Sequence, residues 1–69
     1  MRYLIDGNEV TRTQVQDQLT AEMKEAENSP YFMGRVFYNL DYIERVAERF
    51  MRANRKMDFH FDNVVLIAD

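Results

Sequence analysis

Three potential metal ligands alternate near the end of this chain: Asp58, His60 and Asp62. On a strand they would share one face, and a carboxylate–imidazole–carboxylate set suits a divalent ion. Alternate strand residues stand about 7 Å apart, however, so three in a row do not converge on one ion unaided. No partner ligand announces itself elsewhere, and the row reads as solvent-facing polar residues. Covalent catalysis is equally short of material. His60 is the only histidine, Ser29 the only serine, and there is no cysteine. A nucleophile–base pair would need Ser29 and His60 side by side, and nothing in the sequence brings them together. Gly7 and Gly34 are the only glycines, too few and too far apart for a phosphate-cradling loop. The expectation is a protein that is not an enzyme, with no cofactor and no metal.

The residues better suited to recognition are basic and aromatic. From Leu40 to Lys56, Ile43, Val46, Ala47, Phe50 and Asn54 follow the three-and-four spacing of a helical stripe. Arg45, Arg49, Arg52 and Lys56 fall on the opposite side, and Asp41, Glu44 and Glu48 on a third flank. Glu48 and Arg52 are spaced for an ion pair in the favourable acid-first order. The plain reading is a solvated outer face; the sharper one is a cationic ridge offered to an acidic partner. Just upstream, Arg35 sits among Tyr31, Phe32, Phe37, Tyr38 and Tyr42, the densest aromatic group in the chain. Such rings are normally core and rim, but with Arg35 they could anchor a protein interface or stack single-stranded bases. The candidate partner-binding set is therefore Arg35, Tyr38, Tyr42, Arg45, Arg49, Arg52 and Lys56.

The elements that must position these residues follow from local pattern. Arg2–Ile5 is strand-forming, Asp6-Gly7 is a two-residue hairpin signal, and residues 9–11 form the returning strand. Thr11 with Gln14, or Thr13 with Gln16, makes a capping box opening a helix whose apolar stripe is Val15, Leu19, Met23 and Ala26. Glu22 lies beside that stripe as a rim carboxylate. Asn28-Ser29-Pro30 breaks the helix. Phe32 to Tyr38 is rich in strand formers and contains Gly34, which favours a strand over a helix running on to Lys56. Asn39 or Asp41 then caps the main helix. After Lys56 the period becomes two, with Met57, Phe59 and Phe61 on one side. Asp62-Asn63 is a turn or a bulge before the apolar run Val64–Ile67. The core should draw on Ile5, Val10, Val15, Leu19, Met23, Phe32, Val36, Ile43, Val46, Ala47, Phe50, Phe59, Phe61, Val65 and Ile67.

The predicted fold is a small α+β domain of order β-β-α-β-α-β, with a mainly antiparallel sheet and two helices packed on one face. Sixty-nine residues make one domain spanning 1–69, marginal in stability on its own, so a partner or a homodimer would help it. With 46% hydrophobic residues, two glycines and one proline, the composition is that of a folding chain. No apolar run is long enough to cross a bilayer, no signal-peptide pattern opens the chain, and cysteine is absent. A cytoplasmic protein without a membrane partner is the expectation. Net charge is −3; residues 1–34 carry three bases and six acids, while 35–69 carry six of each. Within 45–56, five bases face only Glu48. Duplex nucleic acid generally demands a broader positive field, so a protein with an acidic surface is favoured over nucleic acid.

The opening pattern Tyr3-x-Ile5-x-Gly7-x-x-Val10-Thr11, leading into a helix with Val15 and Leu19, resembles short accessory proteins of bacteriophages and related mobile elements. The resemblance covers the first third of the chain and transfers no functional residue. It implies a protein that acts by binding, such as a regulator or inhibitor of a host enzyme or defence complex in the host cytoplasm. A single-stranded nucleic-acid-binding module or a self-assembling structural component is the alternative expectation.

Overall fold

The fold is seen in a computed structural model that describes residues 1–32 and 34–69. Asp6 and Gly7 both take positive φ (52° and 83°), as a type I′ turn requires, and close a hairpin of β1 (Arg2–Ile5) and β2 (Asn8–Val10). Thr11 caps α1 (Arg12–Ala26) through the full capping box. Its hydroxyl accepts from the Gln14 N–H at 3.2 Å, and the Gln14 side chain accepts from the Thr11 N–H at 2.8 Å. Asn39 caps α2 (Leu40–Asn54) by accepting from the Asp41 N–H at 2.9 Å. Asp62-Asn63 is a turn, not a bulge, joining β3 (Asp58–Phe61) to β4 (Val64–Ile67) in unbroken antiparallel register.

The sheet order is β2-β1-β4-β3, every pair antiparallel, so the two hairpins meet through β1 and β4. Opposed residues share a face: Val10, Tyr3, Leu66 and Phe59 form one row, and Ile5, Val64 and Phe61 the next. Buried against these rows are Val15 and Leu19 of α1 and Leu40, Ile43, Ala47 and Met51 of α2. Both helices thus cover one face of a four-stranded antiparallel sheet, and the fold is α+β.

The segment between the helices differs from expectation. Arg35–Tyr38 is one turn of 3-10 helix, not the middle of a strand, and Met33 of the expected strand lies outside the described residues. Strand propensity loses here to packing at the helix junction: β2 and β3 remain the sheet's edges, and Arg35–Tyr38 is held against α1 and α2 instead of along either of them. Gly34, at φ 107°, admits the turn. Gln16 on α1 then fixes the junction. Its side chain donates to the Tyr38 carbonyl at 3.1 Å and accepts from the Leu40 N–H at 3.0 Å, supplying a partner to a free amide of the α2 N-terminus.

The buried stripe of α2 is also turned from the expected one. Leu40 and Met51 are buried, while Val46 and Phe50 are 38% and 39% exposed. In β4, Val64 and Leu66 face the helices instead of Val65 and Ile67. Val36 and Phe32, also expected inside, are exposed and half-buried. α2 ends in a Schellman arrangement. Arg55 stands in the left-handed region at φ 52°, its N–H bonds the Arg52 carbonyl at 3.5 Å, and the Lys56 N–H bonds the Met51 carbonyl at 2.9 Å. Among the described residues no helix is long and apolar enough to cross a membrane.

Candidate functional site

The turn of α2 toward the sheet leaves part of its apolar surface uncovered. Val46 and Phe50 lie on the side nearest β3, the edge strand, and Phe50 meets Phe59 edge-to-face with centroids 5.3 Å apart. Phe59 in turn contacts Phe61 at 6.1 Å. At the other end, the 3-10 turn carries Phe37 onto Tyr42, again edge-to-face, at 6.0 Å. Between these aromatic pairs runs a groove of about 240 Å³ lined by Phe37, Tyr42, Ile43, Val46, Phe59 and Phe61. Its floor is the α2–β3 seam and its outer lip is Tyr42, Arg45, Val46 and Arg49, which line a hollow of their own.

Electrostatics set the lip apart. Among the described residues, none of Arg45, Arg49, Arg52 or Lys56 makes an ion pair within 4.0 Å. The spaced pair Glu48 and Arg52 is not joined. Two of the three acids of α2, Asp41 and Glu44, are engaged elsewhere. Arg12 of α1 reaches Asp41 at 2.5 Å and Glu44 at 2.8 Å, and Glu44 also accepts the Tyr3 hydroxyl. Burial pushes the Glu44 carboxyl up, but the hydrogen bonds from Arg12 and Tyr3 outweigh it and hold it below the usual range. Burial, with the Glu44 hydrogen bond, raises the Tyr3 phenol to about 12. Of the α2 acids only Glu48 stays on the arginines' side of the helix, and it pairs with none of them.

The expected binding residues separate into three groups. Tyr42, Arg45 and Arg49 come together at the lip of the groove. Arg52 and Lys56 border another hollow, about 320 Å³, with Glu48, Met51 and Ala68. Arg35 points away and pairs with Glu27 at 3.3 Å, and Tyr38 is half-buried, packed on the core and stacked on Phe32. Asp58 and His60 bond each other at 2.7 Å on the open face of the sheet, which lowers the Asp58 carboxyl, while Asp62 is drawn into the turn. Among the described residues no three His, Asp or Glu side chains gather as a metal site would need.

Phe59 and Phe61 line the groove and still pack against the core, while Val46 of the groove and its neighbour Phe50 are expected in the core but stand exposed. A signal for them was present: Leu40, Ile43, Val46, Ala47, Phe50 and Met51 together span an arc of about 140°, wider than a small sheet covers.

Compared with known proteins, the chain matches no family model, no curated protein and no solved structure.

Proposed function

We propose that this chain is a non-catalytic protein-binding domain that engages an acidic partner through the groove between α2 and β3. The supporting observation is the exposed apolar surface. In a 69-residue chain, Phe37, Tyr42, Val46 and Phe50 leave 46%, 39%, 38% and 39% of their surface open in one contiguous strip. A folded domain of this size has little apolar material to spare, and an uncovered aromatic strip with a polar rim marks an interface. Tyrosine and arginine at the lip are favoured interface anchors, and unpaired guanidinium forks suit carboxylates. Among the described residues the groove is lined by apolar and aromatic side chains with the Tyr42 phenol at its edge, a lining suited to binding. Stoichiometric regulation or inhibition of the partner is the action such a domain performs.

Capture from lysate by immobilised protein tests this reading. Val46→Glu, and separately the pair Arg45→Glu with Arg49→Glu, should reduce capture of the same partner at least tenfold while circular dichroism stays unchanged. Capture that survives both variants moves the interface off this groove. Salt-sensitive binding of oligothymidine in place of protein would assign the arginine–tyrosine lip to single-stranded nucleic acid.

A further inference from the structure

β3 is an edge strand, and its register with β4 decides which of its backbone groups are free. The Ala68 N–H bonds the Met57 carbonyl at 2.8 Å, and the pairing then runs Asp58 with Ile67, Phe59 with Leu66, His60 with Val65 and Phe61 with Val64. Hydrogen-bonded pairs alternate along an antiparallel ladder, so Met57, Phe59 and Phe61 direct their N–H and C=O groups inward to β4. Asp58 and His60 direct theirs outward, to the open edge. No proline, lysine or bulge interrupts Asp58–Phe61, and its one carboxylate, Asp58, is bonded to His60 on the strand itself.

The groove lies directly beside this edge, walled by α2 on one side and by Phe59 and Phe61 on the other. We propose that the groove receives a partner segment in extended form, added along β3 as a fifth strand, with alternate apolar side chains under α2 and acidic residues against Arg45 and Arg49. This rests on the reading of the groove as a protein-binding site and names how the partner is held. Main-chain bonds to Asp58 and His60 supply affinity, and the apolar pocket supplies selectivity for every second side chain. A docked helix would fill the groove but leave the His60 N–H and C=O unused. A second copy of this chain fits less well, because a two-fold pairing brings the same cationic lip toward itself. An acidic, alternating segment satisfies both the free edge and the unpaired arginines.

The probe is a library of randomised linear twelve-residue peptides displayed on phage. Selection on the wild-type domain should enrich sequences with apolar residues at every second position and Asp or Glu beside them. A synthetic enriched peptide is then titrated by fluorescence anisotropy against His60→Pro, His60→Ala and Val46→Glu. Proline at 60 removes an N–H that faces solvent and leaves the β3–β4 ladder intact, so the domain should fold, as circular dichroism will check. The expected result is at least tenfold weaker binding for His60→Pro and for Val46→Glu, with His60→Ala within twofold of wild type. Apolar residues enriched at three-and-four spacing, or binding lost in Val46→Glu but retained in folded His60→Pro, would keep the groove and overturn the added strand. Failure to enrich any peptide, or peptides indifferent to both variants, would overturn the added strand and leave the groove to the capture experiment. If His60→Pro fails to fold, hydrogen exchange of the wild-type domain decides: the His60 amide should gain protection on peptide binding, and an unchanged rate would overturn the proposal.

Discussion

Tyr3 on β1 donates its hydroxyl to Glu44 on α2, joining the centre of the sheet to the helix that carries the groove. Arg12 completes the contact from α1, so three elements meet at one half-buried carboxylate. Tyr3→Phe removes a hydrogen bond to a charged group and should lower stability by about 1.5 kcal/mol in urea unfolding at neutral pH. The pH dependence has two limbs. Glu44 titrates lower in the folded chain, so its contribution is present above its unfolded pKa and is lost as pH falls through the folded value. Tyr3 titrates higher, from 10.0 to about 12, so its contribution holds below pH 10 and is lost between those values. Glu44→Gln should flatten the acid limb, and Tyr3→Phe should flatten the alkaline limb.

Two neighbouring residues of α2 separate stability from binding. Met51 is 5% exposed and Phe50 39% exposed. Met51→Ala should cost about 3 kcal/mol, the range for a buried large-to-small change. Phe50→Ala, which loses mainly the edge-to-face contact with Phe59, should cost about 1 kcal/mol. Binding of the partner should show the reverse order at temperatures where both variants are folded. Thermal melts and anisotropy read the two effects independently.

Arg55 holds a left-handed conformation that a side chain disfavours and glycine adopts freely. Arg55→Gly should therefore raise stability by about 0.5–1 kcal/mol, an increase in melting temperature with no change in the α2 groove. A fall would mean that the Arg55 side chain itself supports the helix end.

Glu22 on α1 shows the opposite sign to Glu44. Burial pushes its carboxyl up, with Asp62 and Glu25 adding repulsion. A raised carboxylate pKa weakens the fold above that value and relaxes as pH falls through it. Glu22→Gln should gain up to about 0.5 kcal/mol at pH 7, a gain that shrinks away once the carboxyl is protonated at acid pH, the inverse of Glu44→Gln.

Local chemistry made much of this fold legible. The Asp6-Gly7 turn and the switch to period two after Lys56 act between residues a few positions apart and stand where the sequence puts them, while Thr11–Gln14 and Asn39 are each one of two caps the sequence left open. What failed depended on distant partners. Phe32 to Tyr38 has strand propensity, but Arg35–Tyr38 is held between α1 and α2 and not at a sheet edge. The α2 stripe was set by which part of a wide apolar arc the sheet reaches, and a run apolar on both faces, Val64–Ile67, carries no signal for which face is inward. The groove was hidden for the same reason: Val46 and Phe50 look like core until the covering surface runs out. The ridge was half legible, since Arg45 and Arg49 meet Tyr42 at the groove while Arg52 and Lys56 turn to a separate hollow.

The junction of β1 with β4 carries a kinetic consequence. Each hairpin and each helix closes over a short stretch of chain, yet Tyr3 pairs with Leu66, so the centre of the sheet forms only by closing a loop of about sixty residues. We expect the two hairpins to appear early as separate units and their docking to limit the folding rate. Substitutions at the β1–β4 seam, such as Leu66→Ala, should then slow refolding, whereas Phe50→Ala should act chiefly by speeding unfolding. Asn63 stands where that seam begins. Its carbonyl accepts from the Asp6 N–H at 3.0 Å, its amide donates to the Asp6 carboxylate at 3.1 Å, and Gln18 donates to its side-chain oxygen at 3.2 Å. Those three bonds act as a register mark: a slip of one residue between the hairpins breaks all of them and turns Val64 and Leu66 out to water.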